Sequence, residues 1–170
     1  AVPAGACDCH YHIFGPHEDY PPSEGTRHLM PDALRADHAA MRERTGIERM
    51  VLVQPGGYYP NNYPMLDILA EEGDAARGIA AYDPFIVDVE VEQLAEQGVR
   101  GMRMSPGRDV DDERIQVVWG HIMSLAPRFE PSGWHLQFLL SGHMRDRLLP
   151  MLADVPVPVV IDPAVRTPND

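Results

Sequence analysis

From Ala6 to Asp162 the chain alternates short apolar runs with amphipathic stretches of about ten residues or more, the usual length of a helix, and no other feature narrows the fold so far. The apolar runs are Ala6 to Phe14, Met50 to Gln54, Arg77 to Tyr82, Val99 to Met104, Trp134 to Leu140 and Pro158 to Asp162. Each reads as a strand, because it is short and largely apolar, and most have Gly or Pro at one end or both. Between them, apolar residues recur at helical spacing. Pro31-Asp32 opens a stretch through Leu34, His38 and Met41 that Gly46 stops, and Asn61 or Asn62 caps one carrying Met65, Leu66, Ile68 and Leu69 that ends at Gly73. Further helices are expected from Asp88 to Gly98, from Arg114 to Phe129 with Pro127 breaking its end, and from His143 to Leu152. Strands joined by helical crossovers form right-handed βαβ units and a parallel sheet. The class is α/β. Open sheet and barrel both accommodate this alternation, although no Gly-x-Gly-x-x-Gly follows the first strand to favour a dinucleotide fold.

The first strand carries the densest chemistry, Asp8-Cys9-His10-Tyr11-His12, just before the Gly15-Pro16 turn. Strand side chains alternate faces, so Asp8, His10 and His12 are expected on one face and Cys9, Tyr11 and Ile13 on the other. Two imidazoles at this spacing converge on one point, which suits a metal ion or a polarised carbonyl oxygen. Structural histidines satisfied by the protein are the plainer alternative.

Composition excludes several classes. A net charge of −12 opposes nucleic acid and an anionic membrane surface, and no apolar run approaches the roughly 18 residues of a membrane span. Residues 1–4 lack the basic and apolar regions of a signal peptide. The basic residues are all arginine, so Schiff-base chemistry on lysine and a carbamylated-lysine metal bridge are excluded. Cys7 and Cys9 are the cysteines, too close along one strand for easy disulfide geometry, which points to a reducing, cytoplasmic compartment.

Polar residues recur at the C-terminal ends of the expected strands: His12, Gln54, Asp83, Arg103, Gln137 and Asp162. A barrel presents such a ring at its catalytic mouth. The segments Asp8 to Gly15, Val53-Gln54-Pro55-Gly56, Gly98 to Arg103, Gly133 to Gln137 and Val159 to Asp162 together resemble the amidohydrolase superfamily, in particular its metal-independent lactonase branch. The resemblance implies a (β/α)8 barrel of TIM type, truncated after about six strands, forming one domain over residues 1–170 with the C-terminal strands missing from this chain. It implies hydrolysis of a lactone or ester bond in a small carboxylated substrate, without a cofactor. On that reading His10 and His12 polarise the carbonyl, and Arg103 clamps a carboxylate with its planar fork. Arg108 in the next loop holds a second carboxylate, Gln54 and Gln137 donate to substrate oxygens, and Tyr58 closes over the ligand. The plain structural alternatives are an ion pair for Arg103, loop hydrogen bonds for the glutamines, and solvated loop positions for Tyr20 and Tyr58.

The sequence departs from the pattern at two places. The strand-six aspartate, Asp162, is followed by Pro163 where the resemblance implies a histidine, and the strands implied to carry the water-activating aspartate lie beyond Asp170. Six of eight strands would leave two open parallel edges, so a fragment of a longer product, a chain completed by homo-oligomerisation and a shortened chain are all to be weighed. Two further functions stay open. One is a metal-dependent amidohydrolase or decarboxylase with zinc or manganese on His10 and His12 and Asp162 as the nearest third ligand. The other is a non-catalytic barrel that binds a ligand or partner.

Overall fold

The computed structural model describes residues 2–26, 30–107, 111–140 and 142–162. Six strands, β1 (Cys7–Tyr11), β2 (Arg49–Val53), β3 (Ala76–Ala81), β4 (Val99–Met104), β5 (His135–Phe138) and β6 (Val159–Ile161), form one sheet in sequence order. Every neighbouring pair is parallel. Five helices make the crossovers: α1 (Arg35–Thr45), α2 (Tyr63–Glu72), α3 (Asp88–Glu96), α4 (Asp112–Phe129) and α5 (Gly142–Leu148). The expected alternation is therefore present, with strand and helix ends displaced by a few residues.

The sheet is curled. In a flat sheet, neighbouring strands lie about 4.8 Å apart, which would separate β1 from β5 by about 19 Å. Instead the amide nitrogen of Gln137 on β5 lies 3.3 Å from His10 Nδ1 on β1. Inward side chains of distant strands can meet only if the sheet bends into an arc that encloses a lumen. The register puts Arg103 beside Gln137 on one face of adjacent strands, and Gln137 beside Val160, two residues before Asp162. All three side chains therefore enter the same lumen.

One expectation about β1 fails for a local reason. Asp8 pairs with Met50 and Tyr11 with Leu52, so three residues on β1 span what two span on β2. This irregularity shifts the alternation by one residue. Asp8 turns toward α1, where its Oδ2 meets His38 Nε2 at 3.0 Å, and the His38 ring stacks on Tyr11 at 3.7 Å. His10 and His12 are left facing the lumen without Asp8.

The helices cover the outer face of the sheet. α2 lies so close to β3 that a side chain on Gly78 would meet Leu69 Cδ1 at 2.7 Å and Met65 Sδ at 2.8 Å. α4 begins where the Asp111 carboxylate accepts from Arg114 N at 2.8 Å, a capping bond that satisfies one unpaired helix donor. It buries Ile115, Val118, Ile122, Leu125 and Phe129. Pro127 does not end α4, which continues to Phe129. The lost bond falls in the last turn, where Leu125, Ala126 and Phe129 are held by the core. Among the described residues no helix is long and apolar enough to cross a membrane.

Candidate active site

His12 is the first residue beyond β1, and its ring is anchored from β2. Nδ1 lies 2.7 Å from the carbonyl oxygen of Val53, which can only accept, so Nδ1 carries the proton. Burial pushes the His12 pKa below its ordinary value, with the Arg103 and His10 charges acting in the same direction. The ring is thus neutral near pH 7, and its Nε2 presents a lone pair. That lone pair faces His10 Nε2 at 3.3 Å, with the rings edge to face. His10 must supply the proton of this contact. The pair therefore offers one N–H and one lone pair at a single point.

Behind His10 stands Asp162, 5% exposed. Its Oδ1 lies 3.4 Å from His10 Nδ1 and accepts from Gln137 Nε2 at 2.6 Å. Its Oδ2 accepts from Arg103 Nε at 2.7 Å. Arg103 therefore makes the ion pair that is the plain structural expectation for it. The bond uses Nε, however, and among the described residues Nη1 and Nη2 take no protein acceptor.

Arg103 lines an open cleft of about 400 Å³ together with Gln54, Tyr59, Tyr82, Ser105 and Arg114. Gln54 is buried and its amide donates to Asn61 O at 2.9 Å, so one of its two amide hydrogens is used structurally. Burial pushes the Tyr82 hydroxyl up to about 12, and it lies 2.5 Å from His121 Nδ1.

The structure brings His10, His12, Arg103, Gln137 and Asp162 into one network and sets Gln54 in the adjoining cleft wall. It does not bring Tyr58 there. That side chain is 2% exposed, and its hydroxyl accepts from Gly15 N at 2.6 Å, as a buried tie between loops. Its neighbour Tyr59 lines the cleft instead. Tyr20 bonds Asp67 at the outer surface, and Asp83 turns back to the Phe85 amide. Arg108 lies outside the described residues. Arg114 and Tyr82 were not singled out in the sequence, where nothing separates Arg114 from the other helical arginines. Only the return of α4 over the cleft does so.

The donor set does not fit the zinc or manganese alternative. A catalytic metal centre uses three protein ligands, and among the described residues no three His, Cys, Asp or Glu side chains are grouped to hold one. Asp162 sits at Nδ1 of His10, away from the point where the two Nε2 atoms meet. It cannot share an ion with both.

The geometry can be set beside known proteins. The chain is 32% identical over 161 residues to a 2-pyrone-4,6-dicarboxylate hydrolase of Comamonas testosteroni, across 95% of this chain and 52% of that protein. It is 28% identical over 167 residues to a 4-sulfomuconolactone hydrolase of Rhizobium radiobacter, across 95% of this chain and 54% of the relative. A solved Pseudomonas putida structure, named for 2-pyrone-4,6-dicarboxylic acid hydrolase, superposes with a TM-score of 0.76 at 25% identity, covering 95% of this chain and 57% of that one. The chain spans about half the length of the curated relatives it matches. The family model described as Amidohydrolase matches residues 7–164, a span that holds the histidine pair, Arg103, Gln137 and Asp162. The chain belongs to the amidohydrolase family.

Proposed function

We infer that this chain carries the substrate-binding, carbonyl-polarising and proton-accepting groups of a lactonase-like hydrolase acting on a small carboxylated lactone or ester. The observation that carries the reading is the His10–His12 pair, one N–H beside one lone pair 3.3 Å away, set next to an arginine whose outer fork takes no acceptor among the described residues. Kinship with hydrolases of carboxylated and sulfonated lactones supports it. The six-stranded arc is read as part of a (β/α)8 barrel in a single domain, with substrate entering at the strand C-termini. The free thiols of Cys7 and Cys9 support a cytoplasmic setting.

In this reading a substrate carboxylate bridges Nη1 and Nη2 of Arg103, in the bidentate geometry that suits a planar guanidinium. The lactone carbonyl oxygen displaces His12 as acceptor of the His10 N–H and is polarised by it. The His12 lone pair, released, accepts a proton from the attacking water. Water oxygen bonds to the carbonyl carbon, the ring C–O bond breaks, and the proton passes to the departing oxygen. The product is a hydroxy acid, or its keto form, that ionises near pH 7.

The test follows proton release while the chain is mixed with 2-pyrone-4,6-dicarboxylate, a monocarboxylated lactone and an uncharged lactone. A proton released for each carboxylated ring opened, with the uncharged lactone much slower, is the expected result. No proton release from either carboxylated lactone overturns the reading.

A further inference from the structure

Asp162 is the one carboxylate that the described residues place against the ring of His10, and lactone hydrolysis by His10 and His12 leaves it without a role. A buried carboxylate with no task is costly, because desolvation opposes its charge. Here it is engaged on three sides, by Arg103 Nε at 2.7 Å, Gln137 Nε2 at 2.6 Å and His10 Nδ1 at 3.4 Å. These partners come from β4, β5 and β1. One side chain just beyond β6 therefore touches the two groups that bind and polarise the substrate, and among the described residues no hydrogen bond joins those two directly.

The two oxygens divide the work. Oδ2 occupies Nε of Arg103, which is the side edge of the guanidinium. With that edge taken, the end edge formed by Nη1 and Nη2 is the only pair left for a bidentate ligand. Oδ1 takes one hydrogen of the Gln137 amide and faces His10 Nδ1 at 3.4 Å, while the same amide nitrogen is 3.3 Å from that Nδ1. Gln137, fixed by Oδ1, can donate its second amide hydrogen to His10 Nδ1, which holds the ring with Nδ1 as acceptor and Nε2 toward His12, the orientation that His12 and its Val53 bond require. We propose that Asp162 is a positioning residue that couples substrate binding to carbonyl polarisation: it fixes which edge of Arg103 faces the cleft and which nitrogen of His10 faces the substrate. The inference rests on the lactonase reading for its kinetic consequence, but not for its structural one.

The experiment is Asp162→Asn, read in three ways. The variant keeps the shape but gives Arg103 and His10 a neutral neighbour. In steady-state turnover of a carboxylated lactone, KM rises about tenfold and kcat falls about tenfold. The KM effect disappears in an Arg103→Met background, and the kcat effect disappears in a His10→Ala background. A merely structural aspartate would lower stability and would not split its effects between two partners. Independently of turnover, ¹⁵N spectra of the histidine rings show His10 protonated at Nε2 in the wild-type chain, with that preference weakened in Asp162→Asn, because the Gln137 amide that donates to Nδ1 is no longer fixed by a carboxylate. Should the single variant fail to fold, the double variant Arg103→Met, Asp162→Leu removes both charges together and carries the same ring test. Additive effects in both backgrounds, or an unchanged His10 ring signal, overturn the proposal. A wild-type chain that opens no lactone but shows the Asp162-dependent ring signal overturns the lactonase reading and leaves the positioning role standing.

Discussion

The Nδ1–H of His12 donates to the carbonyl oxygen of Val53 across 2.7 Å, tying the first residue past β1 to the last residue of β2. This backbone anchor decides which nitrogen of His12 is bare, and through it which nitrogen of His10 is protonated. Replacement by Asn and by Gln separates the two ends of the ring. His12→Asn can keep a donor for Val53 and loses the Nε2 lone pair. Its kcat is expected to fall by about 10²–10⁴, the range of general acid–base catalysis, with the melting temperature little changed. His12→Gln loses the Val53 tie as well and is expected to melt lower. Kinetics and thermal melts on both variants check this, and equal kcat in His12→Asn and wild type would contradict it.

Tyr58 supplies a contrast. Its buried hydroxyl is the partner of the Gly15 amide, so Tyr58→Phe leaves a buried N–H unsatisfied, at a cost of about 1–3 kcal/mol. KM and kcat are expected to stay at their wild-type values, because the ring does not line the cleft. Chemical denaturation beside steady-state kinetics separates this role from substrate contact.

Gly78 sets how closely α2 packs on β3. A side chain there meets Leu69 and Met65, and overpacking of this kind costs about 1–3 kcal/mol. Gly78→Val is expected to lower the denaturant midpoint accordingly. An unchanged midpoint would mean that α2 can lift from the sheet freely.

Acid should destabilise the fold through its half-buried histidines. Burial lowers the pKa of His135 from the ordinary 6.5, and that of His12 likewise. Between those depressed values and about 6.5 the unfolded chain binds more protons than the folded one, so stability rises with pH and is lost on acidification. Glu72 acts lower down. Burial raises its pKa, but the Arg42 and Arg35 hydrogen bonds outweigh that and hold it below 4.5, so its contribution is present above 4.5 and lost as pH falls through the lower folded value. Thermal melts from pH 8 to pH 4 should fall in that order. His135→Gln should flatten the slope below 6.5, and an unchanged slope would contradict the assignment.

Much of this arrangement was legible in the sequence because strand–helix periodicity follows directly from side-chain burial. The strand-end positions of Gln54, Arg103, Gln137 and Asp162 came with it. What escaped depended on tertiary detail. The irregularity between Asp8 and Tyr11 moved Asp8 from the histidine face to α1, and no residue in that segment announces it. Tyr58 and Tyr59 are adjacent and alike in type, and only the turn between β2 and α2 decides which is buried and which lines the cleft. The pairing of Arg103 with Asp162 joins residues 59 apart in sequence, a distance at which composition carries no signal about partners. The polar ring at the strand ends could be read; the order in which its members touch could not.

The most direct test measures kcat and KM for opening of a carboxylated lactone by the wild-type chain, His10→Ala and Arg103→Met. If His10 polarises the carbonyl and the outer fork of Arg103 holds the carboxylate, His10→Ala lowers kcat by about 100-fold or more with KM nearly constant. Arg103→Met raises KM by about tenfold or more, as expected for a lost charge-assisted bond. Wild-type turnover that survives in His10→Ala, or the absence of ring opening by the wild-type chain, would contradict the account.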